Sequence, residues 1–204
     1  MIILLDCDGP MADFTTAYLD ALYAETGARH HASEVDRWAI HECPFFVAHA
    51  KGLGGSQSGS LRAQCDARVV APGFCASIRP QPGAREAVAA LRGIGDVYVV
   101  TSPWFTSRTW MHERTAWLWE HFGIHGNRVI HTSSKALIRG DMFVDDKPSH
   151  VFDWQDAWPN GRALLLDMPH NQDGGVPRVS RAYWSDVVEV ARHVAEVCAA
   201  RATS

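Results

Sequence analysis

Apolar residues follow two rhythms along this chain. Ile2-Ile3-Leu4-Leu5 is a short, partly β-branched run without charge, the pattern of a parallel strand buried on both faces. Val97-Tyr98-Val99-Val100, Val129-Ile130-His131, Met142-Phe143-Val144 and Ala163-Leu164-Leu165-Leu166 repeat it. Between these runs the spacing becomes helical. Ala12 to Glu25 carries Phe14, Tyr18, Ala21 and Leu22, and Gly27 ends it. After the turn Pro80-Gln81-Pro82-Gly83, Ala84 to Arg92 turns Val88 and Leu91 inward. Ser107 to Phe122 sets Met111, Leu118 and Phe122 on one stripe, with Gly123 as its stop. Asp186 to Ala200 buries Val187, Val190, Ala191, Val194 and Val197, with Ser185 as its cap. Strands alternating with helices predict an α/β fold, a Rossmann-like parallel sheet wound on both faces.

The rhythm fails from about Arg29 to Ser77. That stretch holds His30-His31, Trp38, Pro44-Phe45-Phe46 and a Gly/Ser-rich piece from Gly52 to Ser60, with short helical patterns and no strand. It predicts a small inserted helical cap with a flexible loop. The expected division is an α/β core of residues 1–16 and 78–204 and a cap of residues 17–77.

Composition narrows the function. The chain has 204 residues, 47% hydrophobic and 21% charged, enough for one good core plus an insertion. A net charge of -4 argues against a protein built to coat a nucleic acid polymer, but not against a single nucleotide as substrate. The five cysteines are odd in number and show no C-x-x-C spacing, which fits reduced thiols in a cytoplasm. No basic region precedes the first apolar run, and that run is too short for a signal peptide or a membrane span. A soluble cytoplasmic protein is expected.

The candidate chemistry sits where the strands end. Side chains alternate faces along a strand, so Asp6 and Asp8 leave the first run on one side and Cys7 on the other. Two neighbouring carboxylates repel, and neither is cheap to desolvate. A solvated turn that merely stops the strand is the bland alternative. A hard cation such as Mg²⁺ between the carboxylates explains the pair more simply. Thr101-Ser102-Pro103 follows the second apolar run, Lys135 the third, and Asp145-Asp146-Lys147-Pro148 the fourth. Ligands of open parallel sheets bind outside the carboxyl ends of strands, so these groups should share one crevice. The aspartates select Mg²⁺ over Zn²⁺, and the hydroxyls and the lysine suit phosphate oxygens. The set describes a site for a phosphoryl group beside a metal ion.

The order Asp-x-Asp, Ser/Thr, Lys, Asp-Asp resembles that of the haloacid dehalogenase-like superfamily of phosphohydrolases. A closer resemblance is to the 5'(3')-deoxyribonucleotidase family. It rests on Asp6-Cys7-Asp8-Gly9-Pro10-Met11-Ala12-Asp13-Phe14, Pro80-Gln81-Pro82-Gly83-Ala84, Val100-Thr101-Ser102-Pro103, Ser134-Lys135, Asp141 to Pro148 and His170-Asn171. It covers about three quarters of the chain and thins out between Arg29 and Cys75.

The resemblance implies a mechanism. Asp6 attacks phosphorus and forms an aspartyl-phosphate. Asp8 protonates the leaving oxygen, then takes a proton from the hydrolytic water. Asp6 and Asp146 give carboxylate ligands to Mg²⁺, Asp8 gives its backbone carbonyl, and Asp145 supports the metal. Thr101, Ser102 and Lys135 bind phosphate. Phe14 matches a family aromatic that packs on substrate, and Trp38 a second one near the base. The implied partner is a small-molecule phosphate ester, a nucleoside monophosphate, with no nucleic acid polymer and no membrane. A homodimer is left open. Pro10, Ser133-Ser134 and Lys147 depart from the family pattern around the rim of the phosphate and sugar site. Two other functions compete: a phosphatase for another small ester, and a non-catalytic phosphate-binding protein. Intact Asp6 and Asp8 weigh against the latter.

Overall fold

The computed structural model describes residues 1–52, 58–172 and 180–202. Six strands form one parallel sheet: β1 (Ile2–Leu5), β2 (Asp96–Thr101), β3 (Val129–His131), β4 (Met142–Asp145), β5 (Arg162–Leu166) and β6 (Ser180–Ala182). Their order is β3-β2-β1-β4-β5-β6. Ile3 of β1 pairs with Val97 on one side and Met142 on the other. The chain therefore winds outward through β2 and β3, then returns to start β4 beside β1. A crevice opens at such a reversal, outside the carboxyl ends of the two strands.

The strand alternation sorts the core. Ile3, Leu5 and Cys7 join the larger apolar cluster, together with α5 (Ala84–Arg92), α6 (Trp110–Phe122) and α8 (Trp184–Ala202). Leu4, Phe143 and Leu165 point to the other face and pack on Val151 and Trp154 of α7 (Pro148–Ala157). Pro148 stands in the first turn of α7, where its missing N–H leaves no bond unmade.

The inserted segment is helical, as expected. It contains most of α1 (Phe14–Thr26), then α2 (Pro44–Gly52), α3 (Ser58–Val69) and α4 (Phe74–Ser77). Asp13 caps α1 by accepting from Thr16 N, and Gly27 closes it at φ 70°. Of the expected Gly/Ser-rich loop, residues 53–57 lie outside the described residues. Leu22, Val35, Phe46, Leu61 and Cys65 extend the larger sheet cluster without a break. The two crossings of the chain are bonded to each other: Asp13 N donates to Arg79 O and Gln81 N to Met11 O, both at 2.8 Å.

Several local expectations need correction. α6 starts at Trp110; Leu118 and Phe122 are buried as expected, but Trp110, Arg114 and Trp117 complete that face and Met111 is exposed. α8 begins before Ser185, Asp186 accepts from Tyr183 N at its start, and Val197 is exposed. The strand β6 and the helix α7 add to the expected elements. All five cysteines are free thiols, and Cys7, Cys43, Cys65 and Cys75 are buried. Among the described residues, no helix is long and apolar enough to cross a membrane.

Candidate active site

Strand endings assemble the site. β1 stops at Leu5, yet Asp6 N still donates to Val144 O of β4 at 2.8 Å. Cys7 turns into the larger core, so Asp6 and Asp8 emerge on the opposite side, as the alternation requires. The chain then folds back at once. Met11 N and Ala12 N both donate to Cys7 O at 2.8 Å, and Gly9 N donates to Ala12 O at 2.9 Å. Gly9 has φ +95°, a backbone conformation that favours glycine. A Cβ there would sit 2.0 Å from Asp146 Oδ2. Only glycine lets the loop after β1 approach the end of β4 this closely.

Asp145, the last residue of β4, is completely buried. Its Oδ2 accepts from Lys135 Nζ at 2.7 Å and lies 3.1 Å from His150 Nδ1; its Oδ1 accepts from Lys147 N at 2.8 Å. Lys135 lies in a 3₁₀ turn after β3 and is buried as well. Its Nζ is 2.6 Å from Asp6 Oδ1, so one ammonium group is shared between Asp6 and Asp145. Asp146 is buried beside them, with Oδ2 2.9 Å from His170 Nε2. Asn171 Nδ2 donates to the carbonyls of Asp146 and Leu166, both at 2.8 Å, and so fastens the ends of β4 and β5 together.

This crowding pushes the carboxylates apart in acidity. Burial and the Asp145 charge hold the Asp6 carboxyl well above the usual carboxylate range, and Lys135 offsets them only in part. Burial would raise Asp145 too, but Lys135 and His150 outweigh it and hold that carboxyl at about 2. Burial also lifts Asp8, against the pull of Arg114. Lys135 is lifted because Asp145 and Asp6 outweigh its desolvation. Neighbouring carboxyl groups with divergent acidities are a common mark of acid–base and nucleophilic sites.

The donor set fits a hard cation. One oxygen each from Asp6, Asp145 and Asp146 come within 4.8 Å of one another. All are carboxylate oxygens, the chemistry that Mg²⁺ prefers. The remaining phosphate-binding candidates stand at the end of β2, the strand beside β1. Thr101 ends β2, and its buried Oγ1 has no partner among the described residues. Such a hydroxyl destabilises the fold unless a ligand uses it. Ser102 is half-buried, and its Oγ reaches Thr132 O only at 3.4 Å.

The aromatic candidates lie apart from each other. Phe14 packs near-parallel to Trp104 at 6.2 Å and also meets Tyr18, Phe74 and Trp110. Trp38 is half-exposed, with Lys147 Nζ 3.8 Å from its ring centre. Lys147 follows Asp146, and the turn Ala32–Glu34 touches the turn Pro169–Asn171. The inserted segment thus overhangs the acidic cluster on that side. Among the described residues no ring contact joins Phe14 to Trp38.

A family model described as 5' nucleotidase, deoxy (pyrimidine), cytosolic type C protein matches residues 1–197. The chain belongs to this deoxyribonucleotidase family. It is a phosphoric monoester hydrolase of the 5'-nucleotidase type. A Bordetella bronchiseptica protein provisionally named 5'(3')-deoxyribonucleotidase is 31% identical over 191 residues, spanning 92% of this chain and 95% of that protein. The human cytosolic-type 5'(3')-deoxyribonucleotidase is 28% identical over 193 residues, spanning 90% of this chain and 89% of that one. Among solved structures, a haloacid dehalogenase family hydrolase from Deinococcus radiodurans aligns over 95% of both chains with a TM-score of 0.59 at 14% identity, a likeness of fold.

Within this deoxyribonucleotidase frame, sequence reasoning passed over two groups. His150 was not singled out, although a histidine two residues after Pro148 returns to Asp145 on the first turn of α7. Arg114 was not singled out either. It is fully buried and bonded through Nη2 to Asp8 Oδ1. Its signal was an arginine at helical spacing from Trp110, Trp117 and Leu118, on an otherwise apolar face.

Proposed function

We propose that this enzyme hydrolyses (deoxy)nucleoside 5'-monophosphates in a Mg²⁺-dependent reaction through an aspartyl-phosphate on Asp6. The observation that carries the reading is that Asp6 and Asp8 leave one strand end with Lys135 bonded to Asp6, while the neighbouring strand β2 ends in a buried Thr101 hydroxyl that has no partner among the described residues. Asp6 is held by Lys135 and Cys7 N, which fixes the direction of its carboxylate. It attacks phosphorus in line with the leaving oxygen. Asp8 gives that oxygen a proton as the P–O bond breaks, and later receives one from the attacking water. Thr101, Ser102 and Lys135 hold the phosphoryl oxygens. Asp6, Asp146 and the Asp8 carbonyl would hold Mg²⁺, with Asp145 in support. The ion supplies positive charge to the transferring group. Lys135 spends two of its three N–H donors on Asp6 and Asp145, which leaves one for a phosphoryl oxygen.

The segment 17–77 forms the selective cap over a core of residues 1–16 and 78–204, with Phe14 and Trp38 toward the sugar and base. Free thiols throughout fit a reducing cytoplasm. The test is a panel of phosphate monoesters assayed with Mg²⁺. Nucleoside 5'-monophosphates are expected to give the highest kcat/KM. A clear preference for a non-nucleotide ester would transfer the same chemistry to another substrate class.

A further inference from the structure

α6 passes behind the catalytic loop, and one of its residues does not belong to an ordinary core. Arg114 has no exposed surface. Its guanidinium carbon lies 5.3 Å from the Trp110 ring centre and 5.1 Å from that of Trp117, so two indoles from its own helix confine it. Nη2 donates to Asp8 Oδ1, while Nε and Nη1 have no hydrogen-bond partner among the described residues. Burying a cation with two unsatisfied nitrogens is strongly unfavourable, and Leu or Met would fill the same space without that cost. Asp8 is the one carboxylate that Arg114 contacts among the described residues. The adjacent Glu113 accepts from Gly73 N at 2.8 Å and Ala76 N at 3.3 Å, which pins this turn of α6 to its surroundings.

The contact selects one oxygen of Asp8. Arg114 occupies Oδ1, and the Asp8 side chain keeps 23% of its surface exposed. Oδ2 is the oxygen left for a substrate. A planar guanidinium trapped between rings fixes the rotation of the carboxyl group, which a mobile ammonium would not do. We propose that Arg114 is a positioning residue for Asp8, holding Oδ1 so that Oδ2 is presented to the bridging oxygen of a bound phosphate ester. The proposal rests on the acid–base role of Asp8 given above. In that step the bond between Asp6 and phosphorus forms, the bond from phosphorus to the ester oxygen breaks, and the proton on Oδ2 passes to that oxygen as the alcohol leaves. Correct placement of a proton donor governs its efficiency before any other property.

Leaving-group dependence tests this. An alkyl ester such as a deoxynucleoside 5'-monophosphate needs the proton, whereas p-nitrophenyl phosphate releases a stable anion without it. Arg114→Met is expected to lower kcat/KM on the nucleotide by about 10–100-fold, inside the range for lost acid–base catalysis, and to leave kcat/KM on the aryl ester within about threefold, because kcat/KM reads the breaking of the ester bond and not the later hydrolysis that both esters share. Arg114→Lys is expected to restore part of the nucleotide rate. Equal losses on both esters, in variants with wild-type circular dichroism, would overturn the proposal and leave Arg114 a packing residue. Should Arg114→Met fail to fold, the ratio of the two rates in Arg114→Lys decides in the same way. Asp8→Asn separates the two ideas. If it shows the leaving-group effect and the Arg114 variants do not, the positioning proposal alone falls. If Asp8→Asn shows no such effect, the acid–base reading falls with it.

Discussion

The carboxyl end of the sheet and the inserted segment handle polar groups in opposite ways. At the sheet, Asp6, Lys135, Asp145 and Asp146 are buried together and bonded to partners from several elements, with Lys135 reaching back to Asp6 at the start of the chain. In the inserted segment, Glu34 bonds to His30 and His31 within one turn, and Trp38 presents a half-exposed ring. Buried charge of the first kind survives only when many partners agree on one geometry. Local, solvent-facing contacts of the second kind tolerate change. On the function proposed above, the sheet end supplies the chemistry that every phosphate ester shares, and the insertion the discrimination among esters.

The sharpest break should come at Asp6. Asp6→Asn is expected to abolish turnover of nucleotide and aryl phosphate alike. Because burial and Asp145 penalise the charged form of Asp6, the metal-free variant should melt no lower than the wild type near neutral pH. Turnover above background in a purified sample would remove Asp6 from the nucleophile's role. Chelation should likewise silence both substrates, with recovery on adding Mg²⁺. Full activity in excess chelator after dialysis would contradict the carboxylate cage.

Gly9→Ala probes the same region through the backbone. The new Cβ meets Asp146 Oδ2 at 2.0 Å, and the left-handed φ adds about 1–2 kcal/mol of strain. Activity on both esters should drop at least tenfold, with weakened Mg²⁺ binding by calorimetry. Unchanged metal affinity would mean that Asp146 does not hold the ion.

The insertion should respond differently. Trp38→Ala is expected to lower kcat/KM for nucleotides by roughly five- to hundred-fold, the scale of about 1–3 kcal/mol for base stacking, and nearly to spare an aryl phosphate. Parallel losses on both would erase the distinction between the two regions at this residue.

The smallest effect concerns acid stability. Asp145 is held near 2, below its ordinary 3.8, so its contribution is complete above about pH 4 and disappears as pH falls through about 2. Its size is on the order of 2 kcal/mol. Urea midpoints measured from pH 4 to pH 2 should fall less steeply for Asp145→Asn than for the wild type. Identical slopes would show that the Lys135 and His150 contacts do not depress this carboxyl.

Much of the sheet end was legible because strand chemistry is local. The run before Asp6 and the alternation through Cys7 fixed which side each aspartate takes, and the structure follows that pattern. Other parts left weaker traces. Ser180-Arg181-Ala182 carries too little apolar character to announce a strand, and β6 is held by pairing with β5 instead. On α6 the inward stripe was read through Met111, because an arginine is not expected in a core. Leu118 and Phe122 do face inward, but Trp110 takes the place expected of Met111, and Arg114 on the same face reaches Asp8. In each case a partner remote in sequence overrode the local pattern.

The paired backbones of Met11–Asp13 and Arg79–Gln81 set the feet of the insertion side by side, whatever lies between them. Seen from Asp6, the insertion is a loop with a fixed stance. The entropy of closing such a loop grows slowly, by about 0.6 kcal/mol for each doubling of its length. Residues can therefore be gained, lost or exchanged between those feet while Asp6 and Asp8 stay in place. A lineage built on this chain could change its diet without relearning how to cut a phosphate ester, and a designer could graft a foreign lid at Asp13 and Arg79 for the same reason.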